Sequence, residues 1–279
     1  MVRAGRMCYA VNVIRMNTTR KGAINMALLD VSGVTKTYTT RLGGMKVHAL
    51  RGVTFTAEEG EFIAVMGESG SGKTTLLNIL AALDGATSGK VLLDGRDFAT
   101  IRDRERAAFR RDHLGFVFQD FNLLDTFSVR DNILLPLVLQ NRPVREMDER
   151  LKPLIERLGL AGLERKYPWE ISGGQKQRVA VARALITQPK LLLADEPTGQ
   201  LDSKAASTLL GLFRRIYKSG QTIIMVTHSA QAASYASRVL FIKDGEVYNQ
   251  IYRGEAERED FYQKIMDTLT VITGGGDAE

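Results

Sequence analysis

The stretch Gly67-Glu68-Ser69-Gly70-Ser71-Gly72-Lys73-Thr74-Thr75 satisfies the pattern G-x-x-x-x-G-K-[ST] in full and constrains this 279-residue chain more than any other segment. An apolar, strand-favouring run, Glu61 to Met66, precedes it, and a helix-like run, Thr75 to Leu80, follows. That strand–loop–helix setting separates a phosphate-binding loop from a chance Gly/Ser turn. Glycines let consecutive backbone N–H groups converge on an anion, and the helix N-terminus adds its positive end. In such a loop Lys73 reaches the β- and γ-phosphates, and the Thr74 hydroxyl ligates Mg²⁺. The expected ligands are ATP and Mg²⁺.

Charge might point instead to nucleic acid, since the chain carries a net +6. Residues 1–25, however, hold Arg3, Arg6, Arg15, Arg20 and Lys21 and no acid, so the rest is nearly neutral. We expect this segment to be a basic, disordered extension and the chain to bind no nucleic acid. The longest unbroken apolar segment, Ile133 to Leu139, falls far short of the ~20 residues that a membrane-spanning helix needs. The single cysteine, Cys8, excludes an internal disulfide and a cysteine zinc site.

Along the chain, Leu28 to Gly60 reads as short strands, with turns at Ser32-Gly33 and Gly43-Gly44 and an antiparallel ribbon around Val53 and Phe55. Val91–Gly95 is a strand and turn, Glu105–Arg111 a charged helix, and Phe116–Phe118 a strand ending at Gln119. Residues 121–172 change character: Val129–Gln140 and Val144–Leu158 read as helices, with Leu151, Leu154, Ile155 and Leu158 on one face. Helices over Gly174–Ile186 and Ser203–Tyr217 then alternate with apolar strands at Leu191–Asp195 and Thr222–Val226. Uninterrupted apolar strands between helices imply a parallel sheet covered on both faces. The expected fold is therefore an α/β phosphate-loop NTPase with a mainly parallel core sheet, an antiparallel ribbon and an inserted helical subdomain at about 121–172. The cassette is expected over 26–254, and an amphipathic helix with a flexible tail over 255–279.

Further chemistry sits at the strand ends. Asp195 and Glu196 close one buried strand; the first suits the Mg²⁺ shell, and the second can orient and deprotonate the attacking water. His228 closes another strand beside the same edge, in reach of a γ-phosphate. Ile171-Ser172-Gly173-Gly174-Gln175 opens a long helix and offers a second anion-binding N-terminus. One such end already serves the β-phosphate, so a second suggests a nucleotide shared between two subunits.

With these residues in place, the chain resembles the ATP-binding subunit of an ABC transporter over about Leu28 to Gln250. Ile171 stands where that family's signature usually has Leu. The resemblance implies that Tyr38 stacks on adenine and that Gln119 contacts Mg²⁺ and water and senses the membrane partner. It makes Asp195 the Walker B aspartate, Glu196 the catalytic glutamate and His228 the switch histidine. Gly199-Gln200-Leu201-Asp202 becomes the loop that crosses between subunits, with Gln200 where relatives usually carry Asn or Ala. Two copies would sandwich ATP head to tail, between Gly67–Thr75 of one and Ser172–Gln175 of the other. A separate membrane permease would dock near Gln119–Leu124, placing the chain peripherally on the cytoplasmic face of the cell membrane.

Phe116-Val117-Phe118-Gln119, Asn132–Leu137 and Ala194–Gly199 are similar to the MacB/LolD-type branch, and the tail from Phe261 most resembles its bacitracin and lantibiotic resistance group. Antimicrobial-peptide export is the expected role, with lipoprotein release or macrolide export as alternatives. A soluble family member acting on nucleic acid or ribosomes is the more distant rival. Lys73 and Ser172 lie only 99 positions apart, which leaves no room for the long coiled coil of the DNA-repair members.

Overall fold

Three runs of the sequence are almost wholly apolar, and each becomes a strand buried on both faces. The computed structural model describes residues 27–39 and 44–274. Strands β1 (Leu29–Thr39), β2 (Lys46–Ala57) and β3 (Phe62–Met66) lead to helix α1 (Lys73–Leu80). Then come β4 (Ser88–Leu93), β5 (Arg96–Asp97), α2 (Asp103–His113) and β6 (Leu114–Val117). Helices α3 (Val129–Leu139), α4 (Val144–Leu158) and α5 (Gly173–Leu185) precede β7 (Leu191–Asp195). The chain continues through α6 (Ser203–Lys218), β8 (Thr222–Val226) and the short α7 (Ala230–Ala233). It closes with β9 (Arg238–Lys243), β10 (Glu246–Tyr252) and α8 (Arg258–Gly274).

The main sheet has the order β10-β9-β3-β8-β7-β6, with every pairing parallel except the edge pair β10–β9. Alternate residues of its central strands feed two separate cores. Phe62, Ala64 and Met66 of β3 join Leu192 and Ala194 of β7 and the helices α3 to α6 on one face. Ile63 and Val65 join Leu191, Leu193 and α1 on the other, beneath the second sheet. Because neither face meets water, the strands carry no polar alternation. Each large side chain so buried contributes about 1.5–3 kcal/mol; Phe62 and Phe213, with ring centroids 6.4 Å apart, anchor the first core.

The second sheet, β2-β1-β4-β5, is antiparallel throughout. Here the structure corrects one expectation: Ser32-Gly33 is not a turn. β1 runs through it with a register shift between Val31 and Val34, and Gly33 takes a φ of 59°. A glycine in the left-handed region lets a strand bulge as readily as it lets it turn. The strand expected over Phe116–Phe118 lies instead at Leu114–Val117, which leaves Phe118 and Gln119 in a loop.

α4 buries Met147, Leu151, Ile155 and Leu158, the stripe its periodicity requires, with Leu154 only partly covered. α8 buries Phe261, Ile265 and Ile272 against the first core. It lies within the stretch 255–279 expected to hold an amphipathic helix. The basic segment 1–25 and the last glycines lie outside the described residues. Among the described residues no helix is long and apolar enough to cross a membrane.

Candidate functional site

β3, β8 and β7 are neighbours in the main sheet, and all three point their carboxyl ends the same way. That is the edge where open α/β sheets take their ligands. A cavity of about 430 Å³ opens there. Gly67, Lys73, Thr74 and Thr75 line it from the loop after β3, Asp195 and Glu196 from the end of β7, and His228 from beyond β8.

The loop is shaped by backbone that only glycine accepts. Gly72, the residue that caps α1, has φ 102°, and a Cβ there would fall 2.4 Å from the Ala49 carbonyl oxygen. At Gly67, φ is 156° and a Cβ would meet the Ile242 carbonyl oxygen at 2.1 Å. No side chain caps α1, so its first N–H groups are left for another partner. Lys73 folds back over the loop and donates to the Gly67 and Glu68 carbonyl oxygens at 2.8 and 2.6 Å. Burial lowers its pKa, against the pull of Glu196, Asp195 and Glu68.

Asp195 is half-buried beside that ammonium. Burial and its neighbour Glu196 raise its pKa, while Lys73 opposes them. Glu196 turns into the site from a left-handed backbone, φ 41°, a geometry that costs a non-glycine residue about 1–3 kcal/mol. Its amide donates to the Val226 carbonyl oxygen at 3.0 Å, and its Oε1 lies 2.9 Å from Nδ1 of His228. Glu196 points inward with 16% of its side chain exposed, whereas His228, at 75%, stands at the mouth. A carboxylate paired with an imidazole, lining one cavity with a primary ammonium, can hold a water between base and anion.

Ser69, Gly70 and Gly72 line the same cavity, and the remaining residues named from the sequence are placed outside it. Glu68 and Ser71 face a smaller recess behind the loop, next to Ile242 and Ile272, and Ser71 is buried beneath the turn. Tyr38 stands beside the cavity, exposed on one face; its hydroxyl donates to Asp84 at 2.8 Å and the Lys36 ammonium lies over its ring. Gln119 leaves the sheet edge and packs against Gly199. Ser172, Gly173, Gly174 and Gln175 form the start of α5, outside the cavity. Ser172 Oγ accepts from the Gln175 amide and Gln175 Oε1 accepts from the Ser172 amide, a closed capping box. Asp202 caps α6 and accepts from the amides of Lys204 and Ala205.

Sequence reasoning missed Val47, His48 and Ala49, which line the cavity from β2. The only signal was strand pairing: Val47 sits opposite Tyr38, and His48 opposite Thr37, to whose hydroxyl it is hydrogen-bonded at 3.0 Å. A larger recess of about 1030 Å³ lies at the amino ends of β7 and β8, where Arg150 and Glu146 pair with each other. It gathers no comparable set of groups.

Among the described residues no cluster of His, Cys, Asp and Glu could hold a metal by itself. A threonine hydroxyl and a half-buried carboxylate on one cavity wall do fit Mg²⁺, a hard cation that keeps waters and takes few protein oxygens beside phosphate.

Comparison with known proteins bears on this geometry. Residues 50–199 match the family model described as ABC transporter. The bacitracin export ATP-binding protein BceA of Halalkalibacterium halodurans is 48% identical over 250 residues, which are 89% of this chain and 98% of that protein. The macrolide export ATP-binding/permease protein MacB of Neisseria meningitidis is 42% identical over 80% of this chain but only 34% of its own length. Among solved structures, the dimeric ATP-binding cassette MJ0796, in a post-hydrolysis state bound to ADP and Pi, superposes with a TM-score of 0.73 at 38% identity. That match covers 80% of this chain and 98% of the other.

Proposed function

The chain belongs to the ABC transporter family as its ATP-hydrolysing subunit, and from that premise we propose which residues bind the nucleotide, cleave it and meet the partners. Lys73 leaves the Gly67 and Glu68 carbonyls for the β- and γ-phosphates, while the uncapped start of α1 receives the phosphate oxygens. Thr74 and Asp195, joined by Gln119, would hold Mg²⁺, which would supply neutralising charge to the phosphate oxygens. Glu196 orients the attacking water and takes its proton, and His228 holds Glu196 and faces the γ-phosphate. Tyr38 receives the adenine on its open face. Two copies close head to tail, so that Ser172–Gln175 and the loop at Asp202 complete the site of the other.

The observation that carries this reading is the convergence of Lys73, Asp195, Glu196 and His228 on one cavity from three adjacent strand ends. Glu196→Gln keeps size and hydrogen bonding but removes the base. ATP should still bind and dimers should accumulate, while hydrolysis falls by roughly 10²–10⁴-fold. Hydrolysis at the parent rate would remove Glu196 from this role.

The transport partner is a separate permease. Full-length similarity to a bacitracin export cassette favours peptide-antibiotic export over the macrolide alternative. Docking uses a groove of about 460 Å³ beside the Gln119 loop, lined by Phe116, Phe118, Leu124, Leu135 and Leu139 together with Arg110 and Arg111. An apolar lining with basic residues suits an amphipathic permease helix bearing acids, and it holds the chain at the cytoplasmic membrane face. Of the loop's apolar residues, Leu123 packs on the internal core, whereas Leu124 is 42% exposed. Leu124→Asp should leave folding and basal ATPase intact and abolish co-purification with the permease. Normal co-purification would move the interface elsewhere.

A further inference from the structure

Helix α5 carries two side chains that the chemistry above does not use, and both grip backbone carbonyls next to the site. Gln177 is completely buried. Its Nε2 donates to the Phe118 carbonyl oxygen at 3.0 Å and to that of Pro197 at 2.9 Å. Phe118 immediately precedes Gln119, and Pro197 immediately follows Glu196. One amide group therefore ties together the two segments that present the water-side residues, and fastens both to α5. Its orientation is dictated by its neighbours, since the reversed amide would set an oxygen against two carbonyls. Oε1 is left buried without a partner.

Further along α5, Arg183 does the same for the other side of Gln119. Its guanidinium donates to the carbonyl oxygens of Asn122 and Phe121, at 2.5 and 2.9 Å, and burial lowers its pKa. Both of those residues are left-handed, with φ 61° at Phe121 and 47° at Asn122. Asparagine tolerates that region, but an aromatic residue does so only where its surroundings over-determine it. Beyond them, fully buried Asn132 of α3 bonds both the amide and the carbonyl of Leu124. Besides its own turn bonds, from the Asn122 amide to the Asp120 carbonyl and from the Phe127 amide to the Leu124 carbonyl, the loop is thus tied to two helices.

We propose that Gln177 and Arg183 are positioning residues that make the Gln119 loop and the turn after Glu196 move with α5 as one body. Neither lines the nucleotide cavity. A displacement of the Ser172 end of α5, on nucleotide closure or on permease movement, reaches Gln119 and Glu196 through these four carbonyl bonds. This rests on the roles proposed above for Gln119 and Glu196.

The test is steady-state ATPase on the full chain without permease, for Gln177→Leu and Arg183→Lys. Leucine keeps the bulk and removes both donors; lysine reaches one carbonyl in place of two. For Gln177→Leu, kcat should fall on the order of 10–100-fold, as displaced catalytic groups do, with KM for ATP within about 3-fold of the parent. Arg183→Lys should fall less, in the same pattern. Combined with Glu196→Gln, Gln177→Leu should add little further loss, because it acts through Glu196. An unchanged kcat, a rise in KM that accounts for the loss, or losses that simply multiply would each overturn the proposal. If Gln177→Leu does not fold, Arg183→Lys and its combination with Glu196→Gln decide by the same criteria. Equal hydrolysis by the parent and Glu196→Gln would instead defeat the assignment of Glu196 and leave these two residues to be judged on kcat alone.

Discussion

Two helices of this cassette begin with a glycine-rich sequence, and they treat their first N–H groups in opposite ways. α1 starts at left-handed Gly72 with no side-chain cap and a lysine parked on nearby carbonyls. α5 starts at Ser172, whose hydroxyl and Gln175 satisfy each other's amides. The first end has no side chain of its own on its N–H groups. The second is complete in the single chain, and under the role proposed for it would have to give up an internal bond to serve a partner's nucleotide. This asymmetry fits an order of events in which ATP binds one copy first and recruits the second copy afterwards.

The largest break in that comparison is Gly72→Val. A β-branched residue there meets the Ala49 carbonyl and a backbone angle it cannot adopt. The loop has to shift, and ATP affinity should fall about 100-fold or more in calorimetry, with the circular dichroism of the fold retained. Parent-like affinity would show that the open geometry is not what binds phosphate.

Ser172→Ala sharpens the contrast from the other side. Losing an N-cap costs about 1 kcal/mol, or about 2–4 °C in Tm for a chain of this size. ATP should bind the single chain unchanged, yet in a Glu196→Gln background the ATP-dependent dimer should be lost on a sizing column. Dimers that persist would mean that the cap of α5 is structural only.

The smallest effect concerns charge at the open end. Burial, then Glu196, raises the pKa of Asp195, so the folded chain holds that proton more tightly than the unfolded chain does. Its contribution to stability is full below the ordinary value of about 3.9 and is lost as pH rises through the raised value. Asp195→Asn should therefore raise the Tm of the nucleotide-free chain at pH 7–8, with the gain shrinking as pH falls toward that ordinary value. A gain independent of pH would point to packing rather than to a buried charge.

What the sequence determined by itself was whatever a short stretch can encode. Gly67–Thr75 reads as a phosphate loop through its spacing and its place between a strand run and a helix run, and Leu191–Asp195 and Thr222–Val226 declare doubly covered strands through the absence of any polar alternation. The helical face of α4 followed from periodicity. Tertiary structure decided whatever depends on residues distant in sequence. It set the 2.9 Å approach of His228 to Glu196, 32 positions away, and brought Val47 and His48 to the cavity through the register of β1 with β2. It also turned Ser32-Gly33 into a bulge, because a left-handed glycine serves either geometry and only the partner strand chooses. Gln177 and Arg183 were illegible for the same reason: a polar side chain on a helix says nothing about which distant carbonyl will be brought to it, and that is settled only when the sheet and the helices pack.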